Sequence, residues 1–185
     1  MDLESPNFDV LWLKIFLPTV TVILCFCYCS PDHTDYPAFF QYLTSCHEAL
    51  LTSHPHAEVL YMGDFNVHHI EWLHSNTTDV GGREAFDFSI SHELEQIIQH
   101  PTRVPDRHSD RVNILYLFFK SNPQNYTYTI LPPLQTSNHT IVNSAEHSFP
   151  YDHLILKPPL GTRPPRPRQS RTQLVFTDSL VIILN

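Results

Sequence analysis

Apolar residues run in short blocks along this chain, separated by prolines and polar clusters. The first block, Val10 to Cys29, is apolar almost throughout but carries Lys14, Pro18 and the β-branched stretch Thr19-Val20-Thr21-Val22-Ile23. A lysine at mid-span costs about 3 kcal/mol in a bilayer helix, and proline breaks helices. The block therefore predicts two strands, Val10–Phe16 and Val20–Tyr28, joined at Leu17-Pro18-Thr19. Both are apolar on both faces, as the inner strands of a covered sheet are. The alternative is a membrane segment over residues 10–29 that anchors a non-enzymatic interaction protein. The acidic lead-in of Asp2, Glu4 and Asp9 argues against a signal peptide.

A turn-rich loop, Ser30 to Pro37, follows. From Ala38 to Ser53 the residues Phe39, Phe40, Leu43, Cys46, His47, Leu50 and Leu51 recur at helical spacing, and Pro55 closes the helix. Glu58–Met62 predicts a short buried strand. Residues 67–74 and Asp79-Val80-Gly81-Gly82-Arg83 are expected to be loops. Glu84–Gln99 is expected to be an amphipathic helix on Phe86, Phe88, Ile90, Leu94, Ile97 and Ile98. Ile114–Phe119 and Tyr126–Leu131 predict two more strands. Helix packed on sheet is implied.

Candidate chemistry sits at the end of the third strand, in Gly63-Asp64-Phe65-Asn66. Gly63 is expected to let the backbone turn sharply and approach a ligand. In extended chain, residues two apart share a face, so Asp64 and Asn66 are expected to project together. A carboxylate that takes a proton beside an amide that donates hydrogen bonds suits attack of water on a phosphate. The same residues also fit an Asx-type turn in which both side chains bond local backbone. His68, His69, Glu71 and His74 lack the spacing of a metal motif and are expected to be a solvated loop.

Composition narrows the setting. The chain has 185 residues and a formal net charge of -8, with no basic face in its first 150 residues. Nonspecific affinity for nucleic acid should then be weak. Cys25, Cys27, Cys29 and Cys46 show no zinc-type spacing and are expected to be buried free thiols. That favours a reducing, intracellular setting, nuclear or cytoplasmic.

Several stretches occur in one order: Cys27-Tyr28-Cys29-Ser30-Pro31, Gly63-Asp64-Phe65-Asn66, Gly81-Gly82-Arg83-Glu84-Ala85-Phe86, Gln99-His100-Pro101-Thr102-Arg103, Asn113-Ile114-Leu115-Tyr116-Leu117-Phe118 and Ser137-Asn138-His139. That order resembles the endonuclease/exonuclease/phosphatase superfamily, and within it the apurinic-like endonuclease domain of non-LTR retrotransposons. The resemblance covers about residues 5 to 145. It implies an α+β fold, a partial four-layered αββα sandwich, and Mg²⁺-dependent cleavage of a DNA phosphodiester. By the same resemblance Asp64 would orient or deprotonate the attacking water, Asn66 would stabilise charge on the phosphate, His139 would contact the scissile phosphate, and Tyr28 would sit beside it.

The departures from the family are expected to matter. Tyr116 stands where the family usually carries aspartate, and Asn138 stands in the family's Ser-Asp-His. Only 27 residues precede Tyr28, fewer than the family's strands upstream of the tyrosine need. No metal ligand is assigned. The expectation is an N-terminally truncated domain over residues 1–148, with weak Mg²⁺ binding and impaired or lost activity. Residues 149–185 are expected to form a proline- and arginine-rich tail without fixed structure. Its Arg163–Arg171 stretch suits contact with nucleic acid or an SH3-type groove, and Leu174–Phe176 with Leu180–Leu184 suits a terminal strand.

Overall fold

The Val10–Cys29 block folds as a hairpin, strands β1 (Asp9–Phe16) and β2 (Thr21–Tyr28), paired antiparallel from Asp9 opposite Tyr28 to Phe16 opposite Thr21. This structure, a computed structural model, describes residues 3–17, 19–32, 35–73, 75–103 and 113–121, and strand backbones at 126–131, 141–146, 172–176 and 180–184. Lys14, unusual in so apolar a run, is exposed on β1 and reaches His54 Nε2 at 2.5 Å. No helix among the described residues is long and apolar enough to cross a membrane.

Helix α1 (Tyr36–Ser53) crosses from β2 to strand β3 (Glu58–Asp64), which pairs parallel with β2. Asp35 caps α1 by accepting the Ala38 N–H at 3.3 Å. Phe39, Phe40, Leu43 and Leu50 are at most 5% exposed on its inner side. Each such side chain contributes roughly 1.5–3 kcal/mol by leaving water.

Helix α2 spans Val80–Ser91, so it starts four residues before the expected Glu84 and stops eight before Gln99. Asp79 accounts for the early start: its carboxylate accepts the Gly82 N–H at 2.6 Å. Gly81-Gly82, expected to be loop, is the helix's first turn. A Cβ at Gly82 would lie 1.9 Å from the His68 carbonyl oxygen, so only glycine lets the helix start this close to the preceding loop. Past His92 the chain turns through Glu93, at φ 53°, into the short strand β4 (Glu95–Gln96). Leu94, Ile97 and Ile98 are therefore buried from a turn and a sheet edge, not from a helix face.

Strand β5 (Tyr116–Lys120) runs antiparallel to both β3 and β4 and completes a mixed sheet of order β1-β2-β3-β5-β4. Both helices lie on the Tyr61 side of this sheet. Phe88 of α2 meets Tyr61 edge-on at 5.2 Å and also packs on Phe40 of α1. On the opposite side Leu24, Phe26, Leu60, Met62 and Phe118 are buried too, so the sheet is covered on both faces.

A second sheet has the order β6-β7-β9-β8, from β6 (Tyr126–Leu131), β7 (Ile141–Glu146), β8 (Thr172–Phe176) and β9 (Leu180–Leu184). β6 matches its expected bounds. Two strands, not one, form at the end of the span expected to be tail, and β9 pairs with β7.

Candidate active site

Asp64 is the last residue of β3, and the ladders on either side give it Tyr28 and Tyr116 as neighbours. Asp9 pairs with Tyr28 in turn. Asp9, Tyr28, Asp64 and Tyr116 therefore form one row across the end of the sheet, on the side away from the helices. Tyr28 is 37% exposed, whereas Asp64 and Tyr116 are 7% and 5% exposed.

Gly63 does a different job from the expected one. It lies inside β3 at φ 151°, and a Cβ there would sit 1.8 Å from the Cys27 carbonyl oxygen. The close neighbour is the β2 backbone, not a turn or a ligand. The turn begins only after Asp64. Asn66 takes up a left-handed conformation at φ 49°, so the same-face argument for residues two apart in a strand does not apply to it. Asn66 still comes back to Asp64, because its backbone N–H donates to Asp64 Oδ1 at 3.3 Å. Its side-chain Nδ2 donates to the Cys29 carbonyl at 2.7 Å, and the Cys29 N–H donates to the Asp64 carbonyl at 2.8 Å. The Tyr36 hydroxyl lies 3.1 Å from both the Phe65 and the Asn66 carbonyl oxygens. This Asx turn is thus fastened to β2 and to the start of α1.

Burial pushes the Asp64 carboxyl up to about 7, against the downward pull of the Asn66 amides and of Arg103. Near neutral pH it is divided between acid and carboxylate. Burial likewise pushes the Tyr116 phenol well above its usual range, with the Asp64 and Tyr28 charges adding to it.

The structure brings Tyr28, Asp64, Asn66 and Tyr116 together. His139, Asn138, His74 and Arg163–Arg171 lie outside the described residues. His68, expected in a solvated loop, is only partly exposed and is held in place: Nδ1–H donates to Asp79 Oδ2 at 2.9 Å, and its backbone N–H donates to the same oxygen at 3.1 Å. Asp79 had no signal in the sequence beyond a carboxylate three residues before a glycine. Thr102 was missed as well. It is fully buried, and its Oγ1 accepts the N–H groups of Leu115 and Tyr116 at 3.0 and 3.1 Å, fixing the start of β5 beside Asp64. All four cysteines are buried free thiols, as expected.

The sequence profile of the endonuclease-reverse transcriptase family matches residues 22–143. The chain belongs to this family. The match takes in Tyr28, Asp64, Asn66 and Tyr116 and extends over His139. Among solved structures, the chain is similar to the endonuclease domain of TRAS1, a telomere-specific non-LTR retrotransposon, at 14% identity and a TM-score of 0.56. That likeness covers 74% of this chain and 67% of the TRAS1 chain, and it shows a shared α+β fold. No curated protein matches the chain.

The family resemblance implies a divalent cation, and the donors at the end of β3 do not fit one well. Mg²⁺ seeks a near-octahedral oxygen shell with carboxylate in it. Asp64 is a single carboxyl, is buried, and already accepts an N–H from Asn66. Its cross-strand neighbour Tyr116 offers a phenol that burial keeps protonated. Among the described residues no three histidine, cysteine, aspartate or glutamate side chains come together as a metal site.

Proposed function

We propose that this chain is a DNA endonuclease domain of the non-LTR retrotransposon type whose hydrolytic site survives in outline and works poorly. The observation that carries this reading is Asp64, buried at the sheet end with a tyrosine across from it where a second carboxyl would serve the chemistry. Asp64 in its ionised form is the base that would orient and deprotonate water for attack on the phosphodiester. Asn66 contributes through the turn that holds its N–H on that carboxylate, and through the second hydrogen of its side-chain amide. Tyr28, partly exposed on the same row, would touch the nucleic acid. His139 is assigned its phosphate contact by the family resemblance.

Groups that act together lose activity together when one is replaced. Tyr116 and Asn138 remove two anionic positions at once, so the reading is one of DNA handling with little turnover. Plasmid nicking with Mg²⁺, run beside an Asp64→Ala control, tests it.

A further inference from the structure

The buried Thr102 does more than start β5. Its own N–H donates to the Asn113 carbonyl at 3.0 Å, and the next residue, Arg103, forms an isolated antiparallel bridge with Asn113. The Arg103 N–H donates to the Asn113 carbonyl at 3.1 Å. A hydroxyl that takes two backbone N–H groups in a dry setting is a fixed point. Thr102 is thereby held against the Tyr116 N–H, next to the residue across from Asp64, and Arg103 follows it directly in the chain, paired with Asn113. Its side chain is exposed. Its charge reaches Asp64, since it draws that carboxyl down against burial.

The other described cations stand elsewhere. Lys14 is at the far end of β1 with His54, Lys120 is buried at the far end of β5, and Arg83 lies on α2. In a chain of net charge -8, a polyanion needs a locally fixed positive group to approach this end of the sheet.

We propose that Arg103 is a phosphate-binding residue, whose guanidinium takes a backbone phosphate of DNA laid across the Asp64 end of the sheet, with no metal ion required. The planar fork of the guanidinium matches two phosphate oxygens. This rests on the reading of the site as one that handles DNA, and adds the contact that seats the substrate.

The test is fluorescence anisotropy of a labelled duplex oligonucleotide with the full chain, in EDTA, over a salt series. Arg103→Gln should weaken binding roughly five- to twentyfold and lower the salt slope by about one. Arg103→Lys should recover the slope and only part of the affinity, because charge returns without the fork. An Arg166→Gln, Arg168→Gln double variant measures what the tail supplies. Unchanged affinity and slope in Arg103→Gln, or a salt slope residing wholly in the tail arginines, overturns the inference and leaves the family reading standing. A lowered melting temperature in Arg103→Gln and Arg103→Lys alike, with equal loss of binding, assigns Arg103 a structural role and also overturns it. No binding by the unaltered chain overturns both. Brisk Mg²⁺-dependent nicking would overturn only the impairment.

Discussion

Tyr116 stands directly across the β3–β5 ladder from Asp64, and the pairing sets the character of this site. A buried phenol beside a buried carboxyl gives this cross-strand pair a single carboxyl group. Tyr116→Asp should lose a packed ring and bring two carboxyls within one cross-strand spacing. It should be less stable by about 3 kcal/mol or more, and Mg²⁺ should then raise its melting temperature. The unaltered chain should show no comparable rise in thermal melts with and without Mg²⁺. An equal rise in both proteins would contradict the poor fit of the cation.

Asp64 should weigh against folding at neutral pH. Its folded pKa of about 7 lies above the ordinary 3.8, so the folded state holds the proton more tightly than the unfolded chain. Stability from this group is greatest at low pH and falls as pH rises through that window. Asp64→Asn should therefore stabilise the protein at pH 8 by at most about 4 kcal/mol. Urea melts at pH 8 and pH 4 read this directly, and a destabilised variant at pH 8 would refute it.

His47 should act with the opposite sign. It is buried, shares a 2.8 Å hydrogen bond with the Tyr61 hydroxyl, and lies 4.4 Å, ring to ring, from His92. Burial, with the neighbouring His92, lowers its pKa to about 4. His92 meets Thr44 through Nε2, and Glu48 pulls its pKa up against burial. The unfolded chain takes up this proton near pH 6.5, so the contribution is full above that and is lost as pH falls towards 4. The Asp64 and His47 effects offset each other between pH 4 and 6.5. Removing the first with Asp64→Asn should expose an acid-side loss of roughly 2–3 kcal/mol, and adding His47→Gln should flatten it.

Gly63→Ala should be among the most damaging single changes. The new methyl would collide with the Cys27 carbonyl at a φ that side chains rarely adopt. Roughly 3 kcal/mol should be lost, seen as a lower urea midpoint with an unchanged m-value. A shift below about 0.5 kcal/mol would mean that β2 and β3 are not in this register.

Much of the helix-and-sheet layer could be read from residue pattern. Lys14 and Pro18 separated two strands from a membrane segment, and the Phe39-Phe40-Leu43-Leu50 stripe located α1, because both signals are local. What escaped depended on contacts between distant segments. Gly81-Gly82 looked like a loop because glycine disfavours helix in isolation; its value emerges only where the His68 carbonyl presses on the helix start. Asn66 looked like a strand residue because periodicity does not register a left-handed turn. Thr102 and Arg103 were visible only as part of a family stretch, since the N–H groups that Thr102 binds lie 13 and 14 residues further along. The grouping of Tyr28, Asp64 and Tyr116 followed from the motif order, whereas the pairing of Tyr116 directly opposite Asp64 required the β3–β5 register.

Supercoiled-plasmid nicking in Mg²⁺, with the unaltered chain and Asp64→Ala side by side, bears most directly on the proposed impairment. The two proteins should nick at the same low rate, near that of buffer alone. Nicking by the unaltered chain well above that level, abolished in Asp64→Ala, would contradict it.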